Sequence, residues 1–81
     1  MFELILYYYP TCPYCRKVTR FIDKNDLDQI ELKNINQDQE AEAELIETGG
    51  KRQVPCLFID GEPLYESDDI INWLKSNVVE N

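Results

Sequence analysis

Apolar and polar positions alternate with different periods along the chain, and each period points to a different element. Leu4-Ile5-Leu6-Tyr7-Tyr8-Tyr9 is an unbroken apolar and aromatic run of strand length. Such a run suits a strand covered on both faces, as in a parallel or mixed sheet with helices packed on it. Pro10 ends it, and Pro13 suits a first helical turn, where its missing N–H costs nothing. Val18, Phe21 and Ile22 then recur at i, i+3 and i+4, one apolar stripe on a helix closed by Asn25-Asp26. Residues 30–35 alternate apolar and polar, the pattern of a strand with one solvated face. Asn36, with Gln39 three positions on, predicts a capped helix start. That helix runs through the acidic segment 38–47, buries Ala41 and Leu45, and stops at Gly49-Gly50. Leu57-Phe58-Ile59 is a short strand, Asp60-Gly61 a hairpin turn, and Pro63-Leu64-Tyr65 an edge strand where proline is tolerated. Ser67 is the expected cap of a last helix, with Asp68 and Asp69 facing its positive end. Ile70, Ile71, Trp73, Leu74 and Val78 supply that helix with a buried face. The order βαβα followed by ββα predicts an α/β chain, residues 1–81 forming one domain on a small mixed four-stranded sheet flanked by three helices.

Charge narrows the function classes. Sixteen Asp and Glu against eight Lys and Arg leave a net charge of -8. That excess opposes nucleic acid and anionic lipid as partners. The chain has no histidine, so Ser-His-Asp and Cys-His catalysis and His-ligated metals are excluded. The apolar start lacks the basic residues of a signal peptide and is too short to span a membrane, and with three cysteines rather than a larger even set it reads as a cytoplasmic protein.

The cysteines carry the candidate chemistry. Cys12-Pro13-Tyr14-Cys15 sits where the first strand gives way to the first helix. Unpaired N–H groups and the helix dipole at such a junction favour an anion, and the thiolate is the reactive form of cysteine. Arg16 and Lys17 add positive charge in the same turn. Cys12 is thus read as a nucleophile and Cys15, one turn on, as the thiol that resolves a mixed disulfide. Two blander readings compete: half of a zinc site, for which too few ligands exist, and a pair of inert buried cysteines. Tyr14 is expected to stand exposed beside the dithiol, against the alternative of a core aromatic. Cys56 is expected to be a small buried apolar residue, with a third redox thiol as the alternative.

These residues resemble the glutaredoxins, built on the thioredoxin fold. Cys12-Pro13-Tyr14-Cys15 has the spelling of a dithiol glutaredoxin motif; Gln53-Val54-Pro55 resembles the segment whose proline follows a cis peptide bond; Asp60-Gly61 and Ser67-Asp68-Asp69-Ile70 match the hairpin and last helix start. The resemblance spans essentially the whole chain. It implies a glutathione-dependent oxidoreductase, with glutathione as co-substrate and no tightly bound cofactor. Its partners would be disulfide-containing or glutathionylated proteins, and the protein would act as a monomer.

The same resemblance implies a glutathione groove. Val54, beside Pro55, would pair with the cysteinyl backbone of glutathione like an added strand. Ser67 and Asp68 would offer helix N–H groups to the γ-glutamyl carboxylate. Arg52 reads either as a partner for the glycyl carboxylate or as an exposed solubilising charge. The chain departs from the family pattern at Tyr65-Glu66, where Gly-Gly is usual, and at Tyr9, where many members carry lysine. Glu66-Ser67 instead resembles the glutathione-binding turn of the glutathione transferase N-terminal domain. There Glu66 would pair with the ligand's α-ammonium group, or else be one more surface carboxylate. Two other functions stay open: a thioredoxin-like donor reduced by a flavoprotein reductase, and a carrier in which two copies and two glutathiones hold an iron–sulfur cluster.

Overall fold

The computed structural model describes residues 2–79. Its elements are β1 (Leu4–Tyr8), α1 (Pro13–Lys24), β2 (Ile30–Asn34), α2 (Gln39–Gly49), β3 (Cys56–Ile59), β4 (Glu62–Tyr65) and α3 (Ser67–Leu74), followed by a π-helical turn over Lys75–Val79. The four strands form one sheet in the order β2-β1-β3-β4. β1 pairs parallel with β2, while β3 is antiparallel to both β1 and β4. The mixed sheet and three helices expected from the sequence are therefore present, and the apolar run of β1 occupies an interior strand.

Side chains alternate across a strand, so the two faces of the sheet bury different sets. Leu4, Leu6 and Leu57 project to one face and pack with Val18 and Ile22 of α1 and Ile70 and Leu74 of α3. Tyr7, Cys56 and Phe58 project to the other and meet Ala41 and Leu45 of α2. The fold thus has a helix layer on either side of the sheet. Trp73, half-buried, meets the Phe2 ring edge-on, with centroids 5.0 Å apart.

Local chemistry explains the turns. Asp60 and Gly61 both take positive φ, 50° and 89°, the geometry that a two-residue hairpin requires. Gly50 ends α2 in the left-handed conformation, and its N–H donates to the Ile46 carbonyl.

Two helix starts differ from expectation. α2 is capped by Asp38 rather than Asn36: the Asp38 Oδ1 accepts the Glu40 and Ala41 amides at 3.0 and 3.2 Å. Asn36 lies instead in a turn whose following amides, Gln37 and Asp38, donate to the Asn34 carbonyl. α3 is capped by Glu66, not Ser67, which is the first helical residue. The chain leaves β4 at Tyr65 and turns into α3 through Glu66, at a φ of 72°, so the helix begins one residue early.

Candidate active site

The candidate dithiol lies where β1 hands over to α1. Cys12 is the cap residue of α1, with extended backbone, and its Sγ accepts the Cys15 N–H at 3.4 Å. Arg16 N–H donates to the Cys12 carbonyl at 3.0 Å and Cys12 N–H to the Tyr9 carbonyl at 3.3 Å, so the cysteine is held from both sides. Its sulfur therefore lies at the amide end of α1.

The three thiols differ in access. Cys12 keeps 6% of its surface, whereas Cys15 and Cys56 keep none. Burial pushes the Cys15 thiol up to about 12, reinforced by the hydrogen bond and charge of Cys12 and opposed by a backbone bond from Tyr9. Burial likewise pushes Cys56 up to about 11, partly offset by hydrogen bonds with Tyr65 and Leu64 and by the charge of Lys51. Cys56 is the fully buried strand residue expected of it. Among the described residues no three Cys, Asp or Glu side chains cluster as metal ligands, and no helix is long and apolar enough to cross a membrane.

Beside the dithiol, a cleft of about 310 Å³ is lined by Tyr14, Gln53, Val54, Pro55, Glu66 and Ser67. Five of these, Gln53 aside, are residues singled out in the sequence. The Val54-Pro55 peptide bond is cis. Tyr14 is 63% exposed and forms a wall rather than part of the core. Ser67 is buried at the head of α3, and the Glu66 cap makes no side-chain bond to that helix end. The first N–H groups of α3 thus lack a side-chain acceptor on the cleft side of the fold.

Two expected residues lie elsewhere. The Arg52 guanidinium pairs with Glu42 at 2.9 Å and contacts Asn36 Oδ1 at 3.5 Å, bridging to α2, and it does not line the cleft. The exposed Asp68 carboxylate pairs with Lys17 at 2.9 Å, tying the starts of α1 and α3 together. Gln53 was not singled out by type, yet it lines the cleft and its Nε2 donates to Glu66 Oε1 at 3.4 Å. Its place next to Val54-Pro55 was the available signal.

Comparison with known proteins agrees with this arrangement. The glutaredoxin family model matches residues 4–64, from the start of β1 into β4. Glutaredoxin 1 of Rickettsia typhi is 38% identical over 71 residues, covering 85% of this chain and 67% of that protein. Among solved structures, oxidized glutaredoxin 2 from Chlamydomonas reinhardtii superposes with a TM-score of 0.68 at 24% identity, covering 98% of this chain and 77% of the other. Glutathione transferase Omega 3C from Trametes versicolor gives 0.78 at 21% identity, with 96% of this chain covered by 33% of that one. At these identities the two structures establish the fold alone. The family match across all four strands, together with the Rickettsia relative, shows that the chain belongs to the glutaredoxins, thiol-disulfide oxidoreductases of the thioredoxin fold.

Proposed function

We propose that the chain uses glutathione to reduce protein disulfides and glutathionyl mixed disulfides, with Cys12 as nucleophile and Cys15 as resolving thiol. One observation carries the reading: Cys12, the one cysteine residue that keeps any exposed surface, is also the one whose sulfur accepts a helix-end amide. Ionised Cys12 attacks a substrate disulfide, forming a Cys12–substrate S–S bond and releasing the substrate's other sulfur as a thiolate that takes up a proton. Cys15 then loses its proton and attacks Cys12, giving the Cys12–Cys15 disulfide and the reduced substrate. Two glutathione molecules return the pair to dithiol and leave as glutathione disulfide.

The cleft supports the choice of reductant. Val54 and Pro55 border it at their cis peptide bond, just before β3, where a cysteinyl backbone pairs as a strand would. The head of α3, at Ser67 and Asp68, where the Glu66 cap makes no side-chain bond, suits the γ-glutamyl carboxylate. Glu66, held by Gln53, suits the α-ammonium beside it, and Tyr14 walls the cleft on the dithiol side. Arg52 has no ligand role in this reading, because Glu42 and Asn36 hold its guanidinium.

Cys12→Ser should abolish glutathione-dependent disulfide reduction. Cys15→Ser should retain activity on glutathionylated substrates, since glutathione itself resolves the intermediate. A chemical-shift titration with a non-reducing glutathione analogue, S-methylglutathione, tests the groove. It should perturb Val54, Ser67 and Asp68 together with the dithiol; shifts limited to Cys12 and Cys15 would eliminate a specific groove.

A further inference from the structure

We infer that the exposed face of α1 is a docking track for acidic segments that flank the disulfide of a protein substrate. This deepens the proposed function by naming a substrate class for the same dithiol. Four of the chain's eight Lys and Arg, namely Arg16, Lys17, Arg20 and Lys24, lie on the twelve residues of α1, which carry only one acid, Asp23. The remainder of the chain is strongly acidic, so positive charge is concentrated on the helix whose head holds Cys12.

Only one of the four cations is tied to another element. Lys17 alone reaches a carboxylate, Asp68; among the described residues Arg16, Arg20 and Lys24 form no ion pair, although acids outnumber bases twofold. Arg16, Arg20 and Lys24 are spaced i, i+4, i+8, which sets like charges next to one another and disfavours an isolated helix. All three are exposed. Pro13, Arg16, Lys17 and Arg20 also line an open groove of about 310 Å³, which begins at the residue after Cys12. It is separate from the cleft of Tyr14, Val54, Pro55, Glu66 and Ser67. The dithiol therefore has two flanks, one suited to glutathione and one to a substrate chain.

Spacing specifies the occupant. Four residues of helix rise about 6 Å, and two residues of extended chain advance about 6.6 Å. An extended segment running along α1 from a disulfide at Cys12 thus presents every second side chain to successive cations. Carboxylates at alternate positions fit the track. At ordinary ionic strength charges are screened over about 10 Å, so the local stripe, rather than the overall negative charge, sets the encounter.

The test is single-turnover reduction of peptide disulfides by the pre-reduced protein, with no glutathione present, so the outcome does not depend on glutathione being the reductant. The peptides carry Glu, Lys or Ser at alternate positions beside the cysteine. At low salt the Glu peptide should react at least tenfold faster than the Lys peptide, and the ratio should fall toward one in 0.5 M salt, about a 4 Å screening length. Arg20→Gln/Lys24→Gln should collapse the ratio while leaving the Ser peptide's rate within twofold. Equal rates for Glu and Lys peptides in the unmodified protein would overturn the proposal. So would a preference that survives the double substitution, or equal peptide rates accompanied by retention of the chain on anionic vesicles or nucleic acid.

Discussion

Replacing Asp38 by alanine removes the one side chain that closes the start of α2, and the structure sets the size of the loss. A helix start leaves four N–H groups without intrahelical partners, and Asp38 Oδ1 accepts two amides there, from Glu40 and Ala41. Loss of such a cap costs about 1 kcal/mol, within a range of about 0.5–2. The lost carboxylate charge at the positive helix end adds about 0.3–1 kcal/mol, and relief of repulsion from Glu40 and Glu42 offsets part of it. A destabilisation of about 1–1.5 kcal/mol follows. For a domain of this size, about 1 kcal/mol corresponds to a fall in Tm of about 4–8 °C. Asn36→Ala provides the comparison, because the Asn36 carboxamide makes only a 3.5 Å contact with exposed Arg52; its cost should stay within about 0.5 kcal/mol. Urea unfolding followed by circular dichroism should show a lower midpoint for Asp38→Ala with an unchanged slope. Asp38→Asn, which keeps the acceptor, should recover most of the loss. Equal midpoints for the two alanine variants, or a larger loss for Asn36→Ala, would refute the cap assignment.

Stability of the reduced protein should decline at alkaline pH. Cys15 and Tyr7 are pushed up to about 12 and Cys56 to about 11, chiefly by burial, against ordinary values of 9.0 for a thiol and 10.0 for a tyrosine. Groups raised in the folded state contribute stability that is complete below their unfolded values and is lost as pH rises through the folded ones, so the decline should span about pH 9 to 12. Thermal unfolding across that range under reducing conditions checks this, and Cys56→Ala should show a shallower slope; the same slope for both proteins would remove Cys56 from the account. Leu57→Ala, in the interior strand β3 and fully buried, should cost about 2–5 kcal/mol by urea unfolding. A loss below about 1 kcal/mol would mean that the α1–α3 side of the sheet is not packed as described.

Hydrophobic spacing carried most of the fold. The unbroken run of β1 marked a strand covered on both faces and the alternation of β2 a strand with one solvated face, because burial on two faces or one leaves different patterns. Asp60-Gly61 marked the hairpin because its positive φ values suit few other residue pairs. The helix starts were less legible. Asn36, Asp38 and Ser67 are all plausible caps by type and Glu66 is not, so the choice depended on where the preceding turn released the chain. In the candidate site, the dithiol Cys12 and Cys15 and the cleft residues Tyr14, Val54, Pro55, Glu66 and Ser67 were named from motif and position, and the fold brings the latter five to one cleft. The pairing of Arg52 with Glu42 and of Lys17 with Asp68 was not, since each joins residues from different elements. No local pattern encodes such contacts.

Time-resolved alkylation of the fully reduced protein with iodoacetamide at neutral pH, read cysteine by cysteine by mass spectrometry, bears most directly on Cys12 as the reactive sulfur. Cys12 keeps a small exposed surface and its sulfur accepts an amide, whereas Cys15 keeps none and its thiol is pushed up to about 12. The account predicts modification of Cys12 at least tenfold faster than of Cys15 or Cys56. Equal rates at the three positions, or Cys15 or Cys56 reacting first, would contradict it.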